Sequence, residues 1–405
     1  MKRRSSRTLV VSAVVAACLL GAATGYAAVG APWAQSDANA AHSRANTSET
    51  TLSPTTVDQV RYLRSLAARP TPPSSVGCVR GVGQAPVLAD GHLYAILENH
   101  LAAFDLTSGA RLWTTPLDVS GTTLYVGLAV SGGHVVVGEE DCLSQSDPDG
   151  FVQSFDAATG QSQWRVAASP LVGALLDVVV SGSRVVNAGG APSSTPYVAV
   201  RSLATGAVVW FKTACQLFPL PAVVEDGLVF VNRCDADGFS HPRLVAARLS
   251  DGAVLWTKPG FWSIERGDSD GTNGVHLYAQ HAGVLTDINP ATGAVRYTIP
   301  GTDVRALAVD SARLYATCSA GLCTYARGTG ALLWSTPVDP SMGTAQSAVA
   351  DGVVYLPDGR ALRASDGSLL TTLWVDRATQ ISVGDGHVAA VTDPRIVDVY
   401  GLAGG

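Results

Sequence analysis

The densest cluster of chemically active side chains in the sequence is acidic. Glu139, Glu140 and Asp141 follow one another, and Asp147 and Asp149 come shortly after. Carboxylates placed this closely could bind calcium, which prefers oxygen ligands, or a basic partner protein. The Asp-Pro-Asp-Gly step in this stretch is equally typical of an ordinary turn, and the spacing is not that of an EF-hand. The stretch is therefore a candidate partner-binding loop, and no metal site is predicted from it.

The histidines do not form a recognisable catalytic group. His241 and His281 lie in predicted loops without an Asp or Cys companion nearby in the sequence, and no G-x-S-x-G motif is present. Catalysis by a serine nucleophile or by zinc requires several groups that converge on one point. Four other histidines are expected to lie far apart, because each begins the same predicted strand in a separate sequence repeat: His92, His134, His276 and His387.

Residues 1–31 are predicted to direct export. Four basic residues lie within the first seven positions, and an apolar stretch from residue 8 to Ala28 follows, which is the pattern of a secretory signal. Gly25 and Ala27 suit signal peptidase, but the stretch is also long enough to remain as a membrane anchor. Cys18 lies in a lipobox-like context whose following leucines fit lipidation poorly. We expect an extracytoplasmic protein that is secreted or anchored by its N-terminal segment.

Net charge limits the partners of the exported part. Residues 1–27 hold four basic and no acidic residues, so the remaining 23 basic and 33 acidic residues leave a charge of −10. A body this acidic is not expected to bind nucleic acid or an anionic membrane surface through its net charge. We expect membrane contact only through the N-terminal segment.

A sequence repeat organises the rest of the chain. A turn glycine is followed four residues later by one aromatic residue or its replacement, in seven copies: Gly109/Trp113, Gly160/Trp164, Gly206/Trp210, Gly252/Trp256, Gly293/Tyr297, Gly330/Trp334 and Gly367/Thr371. A pair of strand-forming residues precedes each copy, and an eighth pair lies at Val388–Ala389. These pairs are spaced 34 to 50 residues apart, the length of a four-stranded propeller blade. Isolated four-stranded units would leave edges and a face bare, so the units must stack around an axis.

The repeat predicts an all-β fold: an eight-bladed β-propeller of four-stranded antiparallel blades over residues 76–405. The last unit contains its strands A, B and C but no strand D. Residues 76–80 precede the first unit, and we expect them to supply this missing strand and close the ring.

Residues 32–75 are predicted to be a flexible tether. The stretch is rich in Ala, Ser, Thr and Asn and poor in apolar residues. One short helix is expected near residues 55–68, because apolar residues recur at helical spacing from Val57 to Leu66 and Pro70 ends the pattern.

The sequences FDLTSGARLW, FDAATGQSQW and RLSDGAVLW resemble the repeat of the PQQ-like propellers, the family of quinoprotein alcohol dehydrogenases and of the outer-membrane assembly lipoprotein BamB. The likeness covers about residues 76–405. Tyr297 and Thr371 depart from the pattern, so the joints of blades 5 and 7 are expected to be weak. In the family the Trp packs between blades, which implies five interblade anchors here: Trp113, Trp164, Trp210, Trp256 and Trp334.

Six cysteines follow the N-terminal stretch, and no Cys-x-x-Cys spacing indicates a metal site. An even number in an exported chain predicts disulfides. In the predicted ring all six lie on the face formed by the B–C and D–A loops, which we call the cysteine face. The expected pairs are Cys318–Cys323 across a hairpin, Cys215–Cys234 within blade 4 and, by elimination, Cys78–Cys142.

The cysteine face is the predicted recognition surface. It carries the longest loops, and functional residues concentrate on variable loops above a rigid scaffold. Leu217, Phe218, Phe261 and Trp262 lie in its D–A loops. They could form an exposed apolar patch for a protein or glycan partner, or fold back and plug the mouth of the ring.

The resemblance implies two classes of function. A quinoprotein oxidoreductase implies an aromatic floor for PQQ, calcium ligands and a disulfide between adjacent cysteines, yet no two cysteines are adjacent here. The scaffold branch implies a ring that presents loops to envelope proteins. We therefore predict a noncatalytic binding or scaffolding propeller that docks an envelope or extracellular protein on its cysteine face, without PQQ or calcium. A quinoprotein enzyme and a ligand- or glycan-sensing ectodomain stay as alternatives.

Overall fold

Four-stranded antiparallel sheets make up the fold. The computed structural model describes residues 33–67, 84–97, 99–117, 123–141, 150–170, 175–190, 196–215, 222–235, 240–268, 275–301, 304–338, 347–374, 377–393 and 395–402. This part of the chain contains 33 β-strands and one 3-10 helix, Val57–Gln59. Eight sheets form eight blades, and the first strands of neighbouring blades contact one another around the ring. The prediction of an eight-bladed propeller is confirmed.

Each blade consists of strands A to D, ordered from the axis of the ring outward. The strands of blades 1 to 4 are β3 (Val87–Ala89), β4 (His92–Leu97), β5 (His100–Asp105) and β6 (Arg111–Pro116); β7 (Thr123–Ser131), β8 (His134–Asp141), β9 (Phe151–Asp156) and β10 (Ser162–Ala167); β11 (Leu175–Ser181), β12 (Arg184–Gly189), β13 (Tyr197–Ser202) and β14 (Val208–Thr213); and β15 (Val223–Glu225), β16 (Leu228–Arg233), β17 (Arg243–Arg248) and β18 (Val254–Pro259).

Blades 5 to 8 follow the same order, except that the last strand of blade 8 comes from the N-terminal side. Their strands are β19 (Ser263–Asp268), β20 (His276–His281), β21 (Val284–Ile288) and β22 (Val295–Pro300); β23 (Ala306–Val309), β24 (Arg313–Cys318), β25 (Gly321–Ala326) and β26 (Leu332–Thr336); β27 (Ala348–Ala350), β28 (Val353–Tyr355), β29 (Arg360–Arg363) and β30 (Leu369–Thr372); and β31 (Gln380–Gly384), β32 (His387–Asp393), β33 (Ile396–Leu402) and β2 (Val60–Ala67).

The core lies between blades, which explains why the inner strands are apolar on both faces. In β8, Val135 and Val137 pack in one cluster with residues of blade 1, and Val136 packs in another with residues of blade 3. All three valines are fully buried. Because alternate side chains of a strand point to opposite faces, a strand covered on both sides reads as a continuous apolar run.

Trp side chains join neighbouring blades. Trp113 in β6 covers the turn glycine Gly160 of blade 2 and donates a 3.0 Å hydrogen bond from Nε1 to the carbonyl of Ala157. Tyr297 makes the equivalent bond through its hydroxyl, 2.7 Å from the carbonyl of Arg327. The joint of blade 5 therefore has an anchor, although its residue departs from the pattern. The same contact with the next blade is made by the other four residues: Trp164, Trp210, Trp256 and Trp334.

Every outer strand has a β-bulge just before this anchor position. The pairing register shifts between Arg111 and Trp113 in β6 and at the corresponding place in the other seven D strands. In β2 the shift lies between Tyr62 and Arg64, so Arg64 occupies in blade 8 the position of the Trp. A bulge interrupts an edge strand and thereby protects it from pairing with another chain.

The prediction of a helix near residues 55–68 is wrong. One 3-10 turn is followed by β2, which pairs antiparallel with β33. Apolar residues spaced by three suit a helix, but an isolated short helix is weak in water. The edge of β33 offers backbone hydrogen bonds along the whole of β2, and this tertiary pairing decides the conformation.

The closing strand of the ring was predicted at the wrong residues. The N-terminal side of the chain does complete blade 8, as expected, but with β2 instead of residues 76–80, which lie outside the described residues. Thr371 occupies the anchor position of β30 in blade 7, and the weak joint expected there stays a prediction. Blade 8 has no hairpin turn between its outer strands, β33 and β2, because they are far apart in the sequence.

The expectation of a flexible tether over residues 32–75 is also wrong for the described residues 33–67. Residues 33–52, which we call the channel segment, run along the inner strands of the ring. Trp33, Arg44 and Leu52 in this segment are fully buried. Most of its residues are small or polar, so their burial depends on backbone pairing that composition does not reveal.

Candidate functional site

Two disulfides fix parts of the cysteine face. Cys215 follows β14 and is bonded to Cys234, which follows β16 in the next blade. Cys318 at the end of β24 is bonded to Cys323 in β25. Both pairs agree with the predicted connectivity. Cys78 and Cys142 lie outside the described residues, so their pairing stays a prediction.

Glu139 and Glu140 were expected in an exposed loop, but they do not lie in one. Both belong to β8 and are buried. The Glu139 carboxylate lies 3.2 Å from Nη2 of Arg165, and Glu140 Oε2 accepts a hydrogen bond from the backbone N–H of Leu175 in blade 3. Glu140 is thereby part of the packing between blades 2 and 3, whereas Glu139 pairs with a residue of its own blade. Asp141 ends β8.

Trp262 is buried at the start of blade 5, where it packs in a core cluster with Phe230 and Ile264. Its backbone N–H and carbonyl bond to the side-chain amide of Asn232 at 3.0 and 2.6 Å. Of the two alternatives for the apolar loop residues, folding back into the ring holds for Trp262, which is 6% exposed. Leu217 and Phe218 lie outside the described residues.

His281 lies on top of Trp262. The two rings stack with their centroids 4.6 Å apart, and His281 Nδ1 donates a 2.7 Å hydrogen bond to the carbonyl of Phe261. His281 is exposed and Phe261 is partly exposed. Lys258 Nζ lies 5.5 Å from the centre of the Trp262 ring. The cysteine face therefore presents an aromatic and imidazole surface between blades 4 and 5, which we call the blade 4–5 patch: Lys258, Phe261, Trp262 and His281.

The histidines lie where the repeat predicts. His92, His134, His276 and His387 each begin the second strand of a blade, and they are dispersed around the ring. His241 does have an acidic companion, contrary to expectation, because its Nδ1 lies 2.8 Å from Asp235. This pair is exposed and also contacts Arg243.

The central channel is occupied by the channel segment. In blade 1, Trp33 and Leu88 exchange two backbone hydrogen bonds of 2.7 and 3.0 Å. In blade 3, the side-chain amide of Gln35 bonds both the carbonyl and the N–H of Val180, as the backbone of a neighbouring strand would. Residues 34 and 36 form backbone hydrogen bonds with the inner strand of blade 2. Residues 40, 41, 43, 44 and 46 bond, through backbone or side chain, to the inner strands of blades 4, 5, 6, 7 and 8, in that order. One short segment thus contacts all eight blades.

A buried charge network lies within the channel. Asp37 pairs with Arg44, with Arg266 at 3.5 Å and with His42 Nδ1 at 2.9 Å. The opposite His42 nitrogen, Nε2, lies 3.2 Å from Asp177 of blade 3. These contacts tie the channel segment to blades 3 and 5, because Asp177 and Arg266 belong to their inner strands.

The network shifts the pKa values of its members. Burial alone would raise the pKa of Asp37, but Arg44, Arg266 and His42 hold it far below its usual range. Burial alone would lower the pKa of His42, but Asp177 and Asp37 raise it to about 9. His42 is therefore protonated at neutral pH and lies within ion-pair distance of both carboxylates. This group was not predicted from the sequence, although a Trp and three charged residues are unusual in a linker.

A cavity of about 220 Å³ lies above the network at the mouth of the channel. It is lined by Asp37, His42 and Asp177 together with Gln84 and Gln380, which begin or precede inner strands. The cavity therefore opens on the cysteine face. Among the residues that the structure describes, no three His, Cys, Asp or Glu side chains are grouped so that they could hold a metal ion.

Sequence comparison relates the chain to one family. The family model described as outer membrane protein assembly factor BamB matches residues 148–306. Outer membrane protein assembly factor BamB from Bordetella pertussis is 28% identical over 217 residues, which are 52% of this chain and 49% of that protein. The chain thus matches about half the length of this relative.

Structural comparison extends the similarity to nearly the whole chain. Quinohemoprotein alcohol dehydrogenase from Comamonas testosteroni superposes with a TM-score of 0.69 and 14% identity, over 93% of this chain and 81% of that one. BamB from Moraxella catarrhalis gives a TM-score of 0.59 and 16% identity, over 85% and 98%. At these identities the similarity establishes the fold alone.

Proposed function

Because the chain is a PQQ-like, BamB-like β-propeller, we propose that it is an extracytoplasmic, noncatalytic binding ring. It docks an envelope or extracellular protein through its cysteine face, and its retained N-terminal segment holds it at a membrane. The BamB relatives are named as outer membrane protein assembly factors, which supports a role beside other envelope proteins. No helix in the described ranges is long and apolar enough to cross a bilayer, and residues 1–31 lie outside them.

The occupied channel is the observation that carries the proposal. The channel segment bonds to all eight inner strands, and its Asp37, His42 and Arg44 are paired inside the ring. The centre of the ring thus serves structure, which leaves the loops as the surface for recognition.

The channel residues do not fit a bound quinone. The axis is filled by backbone and by the Asp37, His42 and Arg44 network. The cavity at the mouth, about 220 Å³, is smaller than the roughly 300–1,000 Å³ of ordinary small-molecule sites. The two observed disulfides join cysteines 19 and 5 residues apart, whereas the quinoprotein alcohol dehydrogenases imply a bond between adjacent cysteines. These features support a noncatalytic ring.

The blade 4–5 patch is the proposed docking site. Phe261 and His281 supply partly exposed aromatic and imidazole surface, and buried Trp262 holds His281 from below. Rigid aromatic groups at the centre of an interface contribute much of its binding energy. The Cys215–Cys234 disulfide lies in blade 4 on the same face and restrains the neighbouring segments.

Photo-crosslinking in the protein's own cells tests this proposal. The full-length protein would carry a photoreactive residue at position 281, and recovered partners would be identified by mass spectrometry. We expect the purified partner to bind a Phe261→Ser, His281→Ala variant about tenfold more weakly or worse. Tyr62→Ala, which removes an exposed aromatic from the outer strand of blade 8, is the matched control and should bind normally.

Unchanged binding of the double variant, with an unchanged melting temperature, would reject the blade 4–5 patch. Recovery of a stoichiometric quinone with the protein, and of no protein partner, would reject the noncatalytic function and favour a quinoprotein oxidoreductase.

A further inference from the structure

The channel segment begins and ends on the same side of the ring. We call the side formed by the A–B and C–D turns the turn face. Trp33 runs antiparallel to β3 beside Leu88, so its N-terminal end faces the turn at Asp90 and Gly91. The segment reaches the opposite mouth at His42, and β1 (Ala45–Asn46) then runs parallel to β27, back towards the turn face.

Little chain separates the ring from the predicted anchor. The apolar stretch ends at Ala28, and an extended chain spans at most ~3.6 Å per residue, so Trp33 lies within about 18 Å of Ala28. The two residues from Leu88 to its turn take up about 7 Å. At most about 11 Å therefore remains between the turn face and the end of the apolar stretch.

The cysteine face is out of reach of the same anchor. The longest inner strand, β7, has nine residues, which corresponds to a height of about 30 Å. A membrane on the cysteine side would require the chain before Trp33 to cross this height as well. The reach from Ala28 is too short for that path.

An apolar rim surrounds the turn face. It consists of exposed side chains at the two positions before the interblade anchor, where each outer strand leaves its C–D turn. Their exposed fractions range from 39% to 59% in seven of the eight blades: Tyr62, Leu112, Val208, Val209, Val254, Leu255, Val295, Leu332, Leu333 and Leu369. Because the rim recurs around the ring, a flat surface such as a bilayer could contact most of its members together.

We propose that the turn face is seated on the bilayer that holds the N-terminal segment, with the apolar rim at the headgroups and the cysteine face pointing away. The inference rests on the retained anchor of the proposed function, and it adds a second binding surface with a lipid partner. The docking of proteins on the cysteine face follows naturally, because that face is directed away from the membrane.

The charges of the turn face select the lipid. Its C–D turns carry the partly exposed Asp105 and Asp156 and the exposed Asp366, together with Asp251, which pairs with Arg248 at 3.0 Å. Their negative charge opposes contact with anionic headgroups. The turn face therefore fits zwitterionic lipid, and anionic lipid should weaken the seating.

Fluorescence quenching by spin-labelled lipids tests the orientation. The full-length protein, carrying a fluorophore at position 332 or 369 of the rim or at position 241 of the cysteine face, is reconstituted in phosphatidylcholine vesicles. Leu332, Leu369 and His241 are all exposed, so the labels are matched. Headgroup nitroxides should quench the labels at 332 and 369 and leave the label at 241 at its level without nitroxide. Exchanging part of the lipid for phosphatidylglycerol should reduce the quenching.

Equal quenching at all three positions, or stronger quenching at 241, would overturn the proposed seating. Recovery of the protein from cells in soluble form without residues 1–28 would also overturn it. Partner binding by the Phe261→Ser, His281→Ala variant is measured in the same vesicles, so failure of the docking site and failure of the orientation are distinguished.

Discussion

His42 lies between two carboxylates, with Nδ1 2.9 Å from Asp37 and Nε2 3.2 Å from Asp177. Asp37 belongs to the channel segment and Asp177 to the inner strand of blade 3. The imidazolium therefore joins the segment to the ring by charge, and this contact adds to the backbone hydrogen bonds of the segment. Removing one member leaves the others buried without their partner, which is far more costly than losing an exposed pair.

Asp37→Asn should destabilise the protein strongly. The change leaves Arg44, Arg266 and His42 without their shared carboxylate, and breaking a buried ion pair in this way costs about 3–5 kcal/mol. Denaturation with urea at pH 7 measures the free energy of unfolding. Asp235→Asn is the matched control, since Asp235 also contacts a His and an Arg but is exposed. Similar small effects of both variants would contradict the importance of the network.

Stability should fall at alkaline pH through His42. Its pKa rises from 6.5 in the unfolded chain to about 9 in the folded protein, so the folded state binds the proton more tightly. The stabilisation is complete below pH 6.5 and is lost as the pH rises through about 9. Urea denaturation at intervals from pH 6 to 10 measures this decline. His42→Gln should abolish this part of the decline, and an unchanged slope in that variant would assign it to other groups.

Gly206→Ala should destabilise the joint between blades 2 and 3. A Cβ at Gly206 would lie 2.8 Å from Cε3 of Trp164, so the anchor ring must move. Gly227→Ala has the same positive φ, +71° against +70°, but its Cβ would meet no atom within 4 Å. We expect Gly206→Ala to lower the free energy of unfolding by about 1–3 kcal/mol more than Gly227→Ala, the usual cost of overpacking. Equal losses would mean that only backbone strain matters.

Arg64→Trp should strengthen the closing joint of the ring. The Arg64 side chain covers Gly109, as a Trp covers the turn glycine in most other joints, and its Nη1 is buried without a hydrogen-bond partner among the described residues. A Trp would bury more apolar surface and could donate to the carbonyl of Leu106. We expect a gain of about 1–2 kcal/mol in the free energy of unfolding. Arg64→Ala should instead destabilise, and a loss for both variants would show that the guanidinium is needed.

The two observed disulfides should differ in their contributions. The Cys215–Cys234 bond closes a loop with a sequence separation of 19 and the Cys318–Cys323 bond one of 5. Loop-closure entropy then predicts losses of about 3 and about 2 kcal/mol when each pair is replaced by Ser. Urea denaturation of the two double variants checks the order, and a larger loss for the shorter loop would point to native contacts instead of chain entropy.

The sequence predicts the blades well because each one carries its own local signals. The turn glycine and the anchor recur in seven units, and the inner strands are continuous apolar runs such as Val135–Val137. The same markers are missing from β2, where no turn glycine precedes the strand and Arg64 replaces the Trp. Its pairing with β33 joins residues at opposite ends of the chain, which no local pattern reports.

The channel segment escaped prediction for a different reason. Its composition is that of a linker. The hydrogen-bond partners of the segment are the inner strands of all eight blades, and they surround it only once the ring has formed. Glu139 and Glu140 show the same limit, because their crowded carboxylates indicate an exposed loop until β8 and Arg165 are placed in space.

The position of β2 sets an order of events during synthesis. This strand leaves the ribosome before any complete blade, yet its partner β33 is made only after blades 1 to 7. Neither the ring closure nor the final placement of the channel segment can precede the synthesis of β33. Contacts between such distant parts of a chain form slowly, so the blades must persist for a time as an open arc with an unpaired edge. Binding of a chaperone to that edge would have its greatest effect in this interval, before β2 and β33 meet.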